Sequence, residues 1–321
     1  MKLYISTAIL VICSLLLISS CTKTILFQAN SLPAGYTFPQ KDTFSILAWN
    51  VEHFVDEHDN PYINNNREDK PREVEKRIGL LAEILKKINA DVVVLEEFES
   101  RALAMRIAKE KLNDLGYRFF GGTESPDWYM NVVIMSKLPM GVVYSYGSIY
   151  TPVLGIKDSL GRIETQSNIN TRIISSEIRV NEQFSFILTG VHLKAGRAVR
   201  DSAMRVGQIQ LLHAQSKRFL AEDKNTNLVI AGDFNATPES GEFQFLLKGD
   251  KKVTFIDPLA GTNLFSHPSE KPRWRIDHII ANKNMQKYLI PNGVKVAEGL
   301  DIKTLQQISD HLPIVAKFAI R

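Results

Sequence analysis

The chain has 321 residues, of which 44% are hydrophobic and 23% charged, with a formal net charge of +4. That length allows one large or two small domains, and the composition is ordinary for a globular protein, not a low-complexity or fibrous chain. So mild a charge does not by itself demand nucleic acid or a membrane surface as a partner. Two cysteines in the whole chain exclude a disulfide framework.

The N-terminus is different in kind. Lys2 precedes a nearly continuous apolar run from Leu3 to Ile18, which leads into Ser19-Ser20-Cys21. A basic start, a short apolar core and small residues before a break make an export signal. The cysteine at the break resembles a bacterial lipoprotein signal. That resemblance implies loss of residues 1–20, acylation of Cys21 and an exported protein held at the cell envelope by lipid. An uncleaved membrane anchor is the alternative. Cys13 lies inside the signal, so the mature chain would keep Cys21 alone. Residues 21–42, with Pro33, Gly35 and Pro39, read as a tether, and residues 43–321 as one domain.

From Thr43 the sequence alternates as a strand and ends in Asn50 and Glu52. His53 to Asn66 is a polar loop. Apolar residues at Val74, Ile78, Leu81, Leu85 and Ile88 predict a helix over 72–87, charged on its other face. Val92-Val93-Val94-Leu95 is a buried strand that runs into Glu96 and Glu97. Two carboxylates at the end of an apolar run are costly unless paired, solvated or bound to a cation. A helix over 100–115 closes at Gly116, and strands are expected over 117–120, 131–136 and 141–146. Residues 151–170 have no clear periodicity and are expected to be a long loop.

Strands over 172–180 and 184–193 flank Asn181-Glu182 as a hairpin, and the second ends at His192. A helix over 200–220 leads to Leu228-Val229-Ile230-Ala231, a buried strand ending in Gly232-Asp233-Phe234-Asn235. Alternation puts Asp233 and Asn235 on one side if the strand continues; a surface Asx turn is the competing reading. A later strand carries Asp277-His278, and Asp310-His311 stands just before the closing strand.

Polar residues thus recur at strand ends: Asn50, Glu97, His192, Asp233, Asn235, Asp277, Asp310 and His311. Strands interleaved with helices suit a fold of two packed sheets with helices outside, whose rim would gather these groups. Carboxylates and an amide without cysteine make a hard oxygen site. It suits magnesium, with manganese or calcium as alternatives, better than zinc. Histidines beside such a site point to phosphate-ester hydrolysis.

The ordered series Trp49-Asn50-Val51-Glu52, Leu95-Glu96-Glu97, Val191-His192-Leu193, Gly232-Asp233-Phe234-Asn235, Ile276-Asp277-His278 and Ser309-Asp310-His311-Leu312-Pro313 resembles the endonuclease/exonuclease/phosphatase superfamily, deoxyribonuclease-like members above all. The lipoprotein signal and the His-Leu-Lys variant look most like its bacterial membrane-nuclease branch. The resemblance spans nearly all of residues 43–321. It implies an α/β four-layer sandwich of two mixed sheets flanked by helices. It also implies roles: Asn50, Glu97 and Asp310 at the metal; Asp233 and Asn235 orienting water and gripping phosphate; His311 catalytic, with Asp277 orienting it. His192 matches the second histidine, with Glu124 as its candidate partner. The family usually reads Gln-Glu at Glu96-Glu97, so Glu96 is expected to add charge near the metal. His278 is expected to be structural.

Basic residues for a phosphate backbone stand at Lys194, Arg197, Arg200 and Arg205, and at Lys271, Arg273 and Arg275, although solvated faces account for most such runs; Arg172 at a strand start is the better single contact. The implied activity is that of a monomeric nuclease acting on DNA, with RNA as an alternative. Its rival is a phosphoesterase of the same family on a small or lipid phosphoester, of the sphingomyelinase or phosphoinositide phosphatase type. A surface-binding module that had lost catalysis would lack some of these residues, and none is missing.

Overall fold

A computed structural model describes residues 35–56, 74–122, 130–167, 169–249, 253–296 and 299–320. The signal segment, Cys21 and Glu124 lie outside them. The compact unit that carries the motifs runs from Phe38 to Arg321.

Alternation in the strands dictates the layering. In β1 (Thr43–Phe54), Phe44, Ile46 and Ala48 join one apolar cluster, and Leu47, Trp49 and Val51 join another. β2 (Val92–Phe98) divides likewise, with Val92 and Val94 on one side and Val93 and Leu95 on the other. Both faces of these strands are therefore buried, which is why they read as continuous apolar runs. The first sheet has the order β13-β14-β1-β2-β4-β3, and the second β11-β12-β10-β9-β8-β5. In the first, β3 (Phe119–Gly122), β4 (Asn131–Ser136), β13 (Leu289–Val296) and β14 (Ile314–Ala319) flank the parallel pair β1 and β2. In the second, β8 (Ile173–Arg179), β9 (Ser185–His192), β10 (Leu228–Asp233) and β12 (Asp277–Asn282) form the centre, and β9 and β10 are parallel. Short β11 (Phe255–Ile256) and β5 (Met140–Tyr144) close its edges.

Three clusters fill the spaces between layers. Ile46, Val94, Leu188, Val229, Ala231 and Ile279 lie between the sheets. Outside the first sheet, α1 (Val74–Ile88) buries Ile78, Leu81 and Leu85, and α2 (Arg101–Lys111) buries Leu103 and Ile107. Ser100 caps α2 through Leu103 N at 2.9 Å. Outside the second sheet, α3 (Val199–Glu222) contributes Ile209, Leu212 and Phe219, and α4 (Gly241–Lys248) contributes Phe243 and Leu246. This is the four-layer sandwich that the motif order implies. Short α5 (Lys283–Gln286) and α6 (Ile302–Gln306) complete the described helices.

One expectation fails. Residues 151–170 are not a structureless loop: β6 (Thr151–Lys157) and β7 (Ile163–Gln166) pair as an antiparallel hairpin. Pro152 and Gly155, the latter with φ +79°, break the alternation that would have marked the strands. The hairpin lies on α3, where Gln166 donates to Met204 O at 2.8 Å. The contact depends on Gly207, since a Cβ there would sit 1.9 Å from Pro152 O. In an open helix, Gly→Ala stabilises by about 1 kcal/mol. Here we expect Gly207→Ala to destabilise by about 1–3 kcal/mol through overpacking. A urea midpoint that rises instead of falling would refute the close docking of the hairpin.

Candidate active site

The same alternation decides which polar residues face the space between the sheets. Asn50 continues the inner series Phe44, Ile46, Ala48; Glu96 continues Val92, Val94. His192 follows Phe186, Leu188; Asp233 follows Val229, Ala231; and Asp277 precedes Ile279, Ala281. Asp233 pairs in register with His192 on one side and Asp277 on the other. All five side chains are buried. His278, one residue out of phase, falls on the outer face. Its Nε2 lies 2.9 Å from Ala236 O, and its ring stacks on Phe243 at 4.1 Å. It is packed away from the space between the sheets.

Glu97 escapes this rule through a bulge. Between the pairs Asn50–Glu96 and Phe54–Phe98, β1 has three residues where β2 has one. Glu52, His53 and Glu97 all take left-handed backbone, with φ +44°, +48° and +53°, which is costly for residues with a side chain. Arg77 of α1 holds the bulge: its guanidinium donates to the carbonyls of Val51 (3.0 Å), Glu52 (2.7 Å), His53 (3.2 Å) and Ile308 (2.7 Å). The Glu97 carboxylate accepts from His53 N at 3.0 Å and from Asn50 Nδ2 at 3.3 Å, and it lies 3.6 Å from His192 Nε2. The neighbouring histidines His192 and His53, with the Asn50 bond, hold its pKa below the ordinary value against the opposing effect of burial.

Asp233 is the centre of the cluster. It accepts from Asn50 Nδ2 (3.0 Å), Asn235 N (2.7 Å) and Asn235 Nδ2 (3.1 Å). The Asn235 contacts come from a turn with φ +49° and not from a continued strand. The Asx turn and the polar site are therefore the same feature. His192 and His311 each place Nε2 3.9 Å from Asp233 Oδ2. Burial raises the Asp233 pKa to about 7, with Asp277 adding to the rise and His311 opposing it. Gly232, at φ +137°, permits this crowding, since a Cβ would meet Val191 O at 2.1 Å.

The two histidines differ in charge. His311 Nδ1 lies 2.9 Å from Asp277 Oδ2, and Ser266 Oγ donates to the same carboxylate oxygen at 2.5 Å. Against desolvation, Asp277 and then Asp233 and Asp310 raise the His311 pKa to about 10. Desolvation lowers that of His192 to about 4, against the attraction of Glu97. Trp49 Nε1 donates to His311 O at 2.9 Å, while Ser309 Oγ accepts from His311 N at 2.9 Å and donates to Asn50 O at 2.6 Å. These bonds tie the two motifs together across the chain.

The chain matches the Endonuclease/Exonuclease/phosphatase family over residues 47–311. It belongs to that family. Family members are hydrolytic phosphoesterases, typically dependent on a divalent metal. No curated protein matches the chain by sequence. Among solved structures it is similar to the human Nocturnin catalytic domain with bound sulfate, at 16% identity and TM-score 0.58, covering 87% of this chain and 95% of that one. Beta toxin from Staphylococcus aureus is 18% identical with TM-score 0.57, covering 85% and 99%. TDP2 from D. rerio, complexed with single strand DNA product, is 17% identical with TM-score 0.56, covering 87% and 99%. At such identities the likeness is one of fold.

The remaining residues of this endonuclease/exonuclease/phosphatase site divide. Asp310 is half-exposed and lies 3.3 Å from His267 Nε2 and 3.7 Å from His311 Nε2. Glu52 connects it to the Glu97 side: Glu52 Oε2 accepts from Asp310 N at 3.0 Å. Burial, then Asp310 and Glu97, raise the Glu52 pKa. The Glu52, Glu97 and Asp310 carboxylates and the Asn50 amide are hard oxygen donors, of the kind that fits a divalent magnesium, manganese or calcium ion. Among the described residues, the groups of three whose ligand atoms lie within 4.8 Å of one another are Asp233/Asp277/His311 and His267/Asp310/His311; Glu52, Glu97 and Asp310 do not form such a group. Arg172 reaches the rim, donating to His192 O at 3.3 Å, and its pKa is lowered by burial while Glu97 and Asp233 oppose the shift. Lys194 is taken up by Asp201 at 3.1 Å and Ala195 O at 2.7 Å.

Glu96 needs revision. It is fully buried, and neither carboxyl oxygen has a hydrogen-bond partner among the described residues. Burial, then Asp277, Asp233 and Glu97, push its pKa well above the ordinary value. The environment favours the neutral acid and not the extra charge expected from sequence. Ser266, Arg77 and His267 escaped the sequence reading, and Ser309 was read only as part of a motif, because each acts through a contact distant in the chain.

In the metal-free protein at pH 7, NMR should find the His311 imidazole protonated and that of His192 neutral. Asp277→Asn should bring the His311 titration down from about 10 toward its ordinary range. The folded value lies above the unfolded one. Its stabilisation is therefore full below about pH 6.5 and disappears as pH rises toward 10. A His311 titration that stays put in Asp277→Asn would remove Asp277 as its cause.

Proposed function

We propose that the chain is an exported, lipid-anchored, divalent-metal-dependent phosphodiesterase that hydrolyses DNA, with RNA as a second substrate. The observation that carries this reading is the meeting of Asn50, Glu97, His192, Asp233, Asp277 and His311 at one rim, within the bonded distances given above. The DNA product bound by D. rerio TDP2, which shares the fold, supports a nucleic-acid substrate. The export signal and Cys21 support attachment at the cell envelope.

The residues divide the chemistry. Asp233, raised to about 7, is matched to accept a proton from an attacking water near neutral pH. Asn235 and Asn50 hold its carboxylate in place. His311, kept protonated by Asp277, offers N–H and positive charge to a phosphate oxygen. His192 matches the second histidine of the family pattern. Its burial keeps it neutral, so it suits hydrogen-bond donation to the phosphate. Arg172 adds positive charge at the same rim. Glu97 and Asp310, with Asn50 and Glu52 beside them, would hold the divalent ion, which when bound offsets charge on the phosphate oxygens.

The full-length protein should cut intact DNA with magnesium, without an abasic lesion, and chelator should abolish the cleavage. His311→Ala should cost about two to four orders of magnitude in kcat, the range for a positioned acid–base group. Hydrolysis of sphingomyelin with plasmid DNA left whole would replace the nuclease reading with the lipid phosphoesterase one. Glu97→Gln keeps shape and removes a charged ligand. Its half-saturating magnesium concentration should rise at least tenfold; an unchanged value would exclude Glu97 as a ligand. Mass spectrometry of membrane-extracted protein should find Cys21 acylated at the N-terminus, and an unmodified Cys21 would refute the anchor.

A further inference from the structure

The basic residues flagged in sequence have separate fates. Arg205 is buried, bonded to Glu242 at 2.7 Å and to the carbonyls of Lys194 and Gly196 at 2.8 and 2.7 Å. Arg275 is buried against Asp257 at 2.7 and 2.8 Å. Arg200 is paired with Glu164, and Lys194 with Asp201. Arg197 and Arg273 are different. Both are exposed, and neither has an ion pair among the described residues. Both guanidinium groups lie on the Trp274 ring, 4.4 and 4.6 Å from its centroid.

Their position relates them to the active site. Trp274 stacks on His267 at 6.0 Å, and His267 lies 4.6 Å from the His311 ring. A main-chain bridge joins His267 and Trp274, with N–H···O bonds of 3.0 Å in both directions. The two buried arginines serve this arrangement. Arg205 pins the loop that carries Arg197, and Arg275 pins the segment that carries Arg273 and Trp274. Both exposed guanidinium groups are thereby held on one indole, with little freedom left to lose on binding.

We propose that Arg197, Arg273 and Trp274 form a second phosphate-binding platform, which grips a nucleic-acid strand at a phosphate beyond the scissile one. This rests on the nuclease reading and deepens it. Guanidinium offers donors only, in a planar fork that matches phosphate. Two unneutralised forks on a rigid ring recognise backbone and not base identity. Two ring contacts separate Trp274 from His311, so a ligand must extend past the scissile phosphate to reach the platform. A polynucleotide does so; a small phosphoester does not.

The test uses the full-length protein and its Arg197→Ala/Arg273→Ala variant. Turnover is followed on a single-stranded DNA oligonucleotide and on bis(4-nitrophenyl) phosphate. Binding of the oligonucleotide in chelator is followed by fluorescence anisotropy. Affinity should fall about tenfold per arginine, the scale of a charge-assisted hydrogen bond. The slope of log affinity against log salt should shrink by about 0.7 for each arginine removed. Loss of kcat/KM on the oligonucleotide should exceed loss on the ester at least tenfold. Arg197→Lys/Arg273→Lys, which keeps charge without the fork, should fall between. An unchanged salt slope, or equal losses on both substrates, would overturn the platform. So would retained oligonucleotide affinity with lost binding to phosphatidylserine vesicles, which would assign the arginines to a membrane surface. If the parent protein binds the oligonucleotide through these arginines but cleaves no nucleic acid, the nuclease reading fails and the platform stands.

Discussion

At the rim the two sheets are joined by the bond from Asn50 Nδ2 to Asp233 Oδ2, 3.0 Å long and buried. It links residues 183 positions apart, so the site exists only when both sheets have formed and packed. The rest of the rim is arranged around it. Asn235 supplies two further donors to Asp233, Glu97 shares the Asn50 amide, and Ser309 ties the β1 end to the His311 segment. An amide suits this position because it can donate to two carboxylates at once while its oxygen caps the Glu52 N–H. Replacing it would remove one donor from each carboxylate, a cost of about 1–3 kcal/mol for each group.

Buried acids dominate the electrostatics, and each resolves its burial in a different way. Glu96 has no hydrogen-bond partner for its carboxyl among the described residues and is driven toward the neutral form. Glu97 has the Asn50 amide and the His53 N–H as donors and is driven toward the charged form. Asp233 is intermediate, with donors and His311 opposing desolvation and Asp277. The histidines follow the same principle. His311 has a carboxylate within 2.9 Å of Nδ1 and is driven toward the cation, whereas among the described residues His192 has carboxylates no nearer than 3.6 Å and is driven toward the neutral form. Distance to an acceptor, more than burial itself, separates two buried imidazoles.

Backbone strain is concentrated where the chemistry is. Glu52, His53, Glu97 and Asn235 are four of the six non-glycine residues with positive φ among the described residues. Arg77 stabilises the strained β1 bulge by gathering four carbonyls, and its guanidinium rests 5.0 Å from the Phe54 ring. The bulge turns Glu97 from the helix-facing side, where alternation would have left it, toward the rim. Buried ion pairs at Arg205 and Arg275 do similar work at the loops, where they fix segments without regular structure.

How much of this was legible in the sequence follows from the range of each interaction. Strands, the main helices and the inward phase of Asn50, His192, Asp233 and Asp277 are local matters, set by a period of two along each segment. The motif order carried the family and the sandwich. The β6–β7 hairpin was hidden because Pro152 and Gly155 interrupt its alternation while its pairing and its bed on α3 are tertiary. The bulge at Glu52 and His53 was also hidden, since the hydrogen bonds that sustain it come from Arg77, far along the chain. Sequence could say that acids and histidines meet; it could not say which are charged. Charge state depends on the last few tenths of an ångström between groups and on the solvent excluded around them, and both are settled only when the two sheets close.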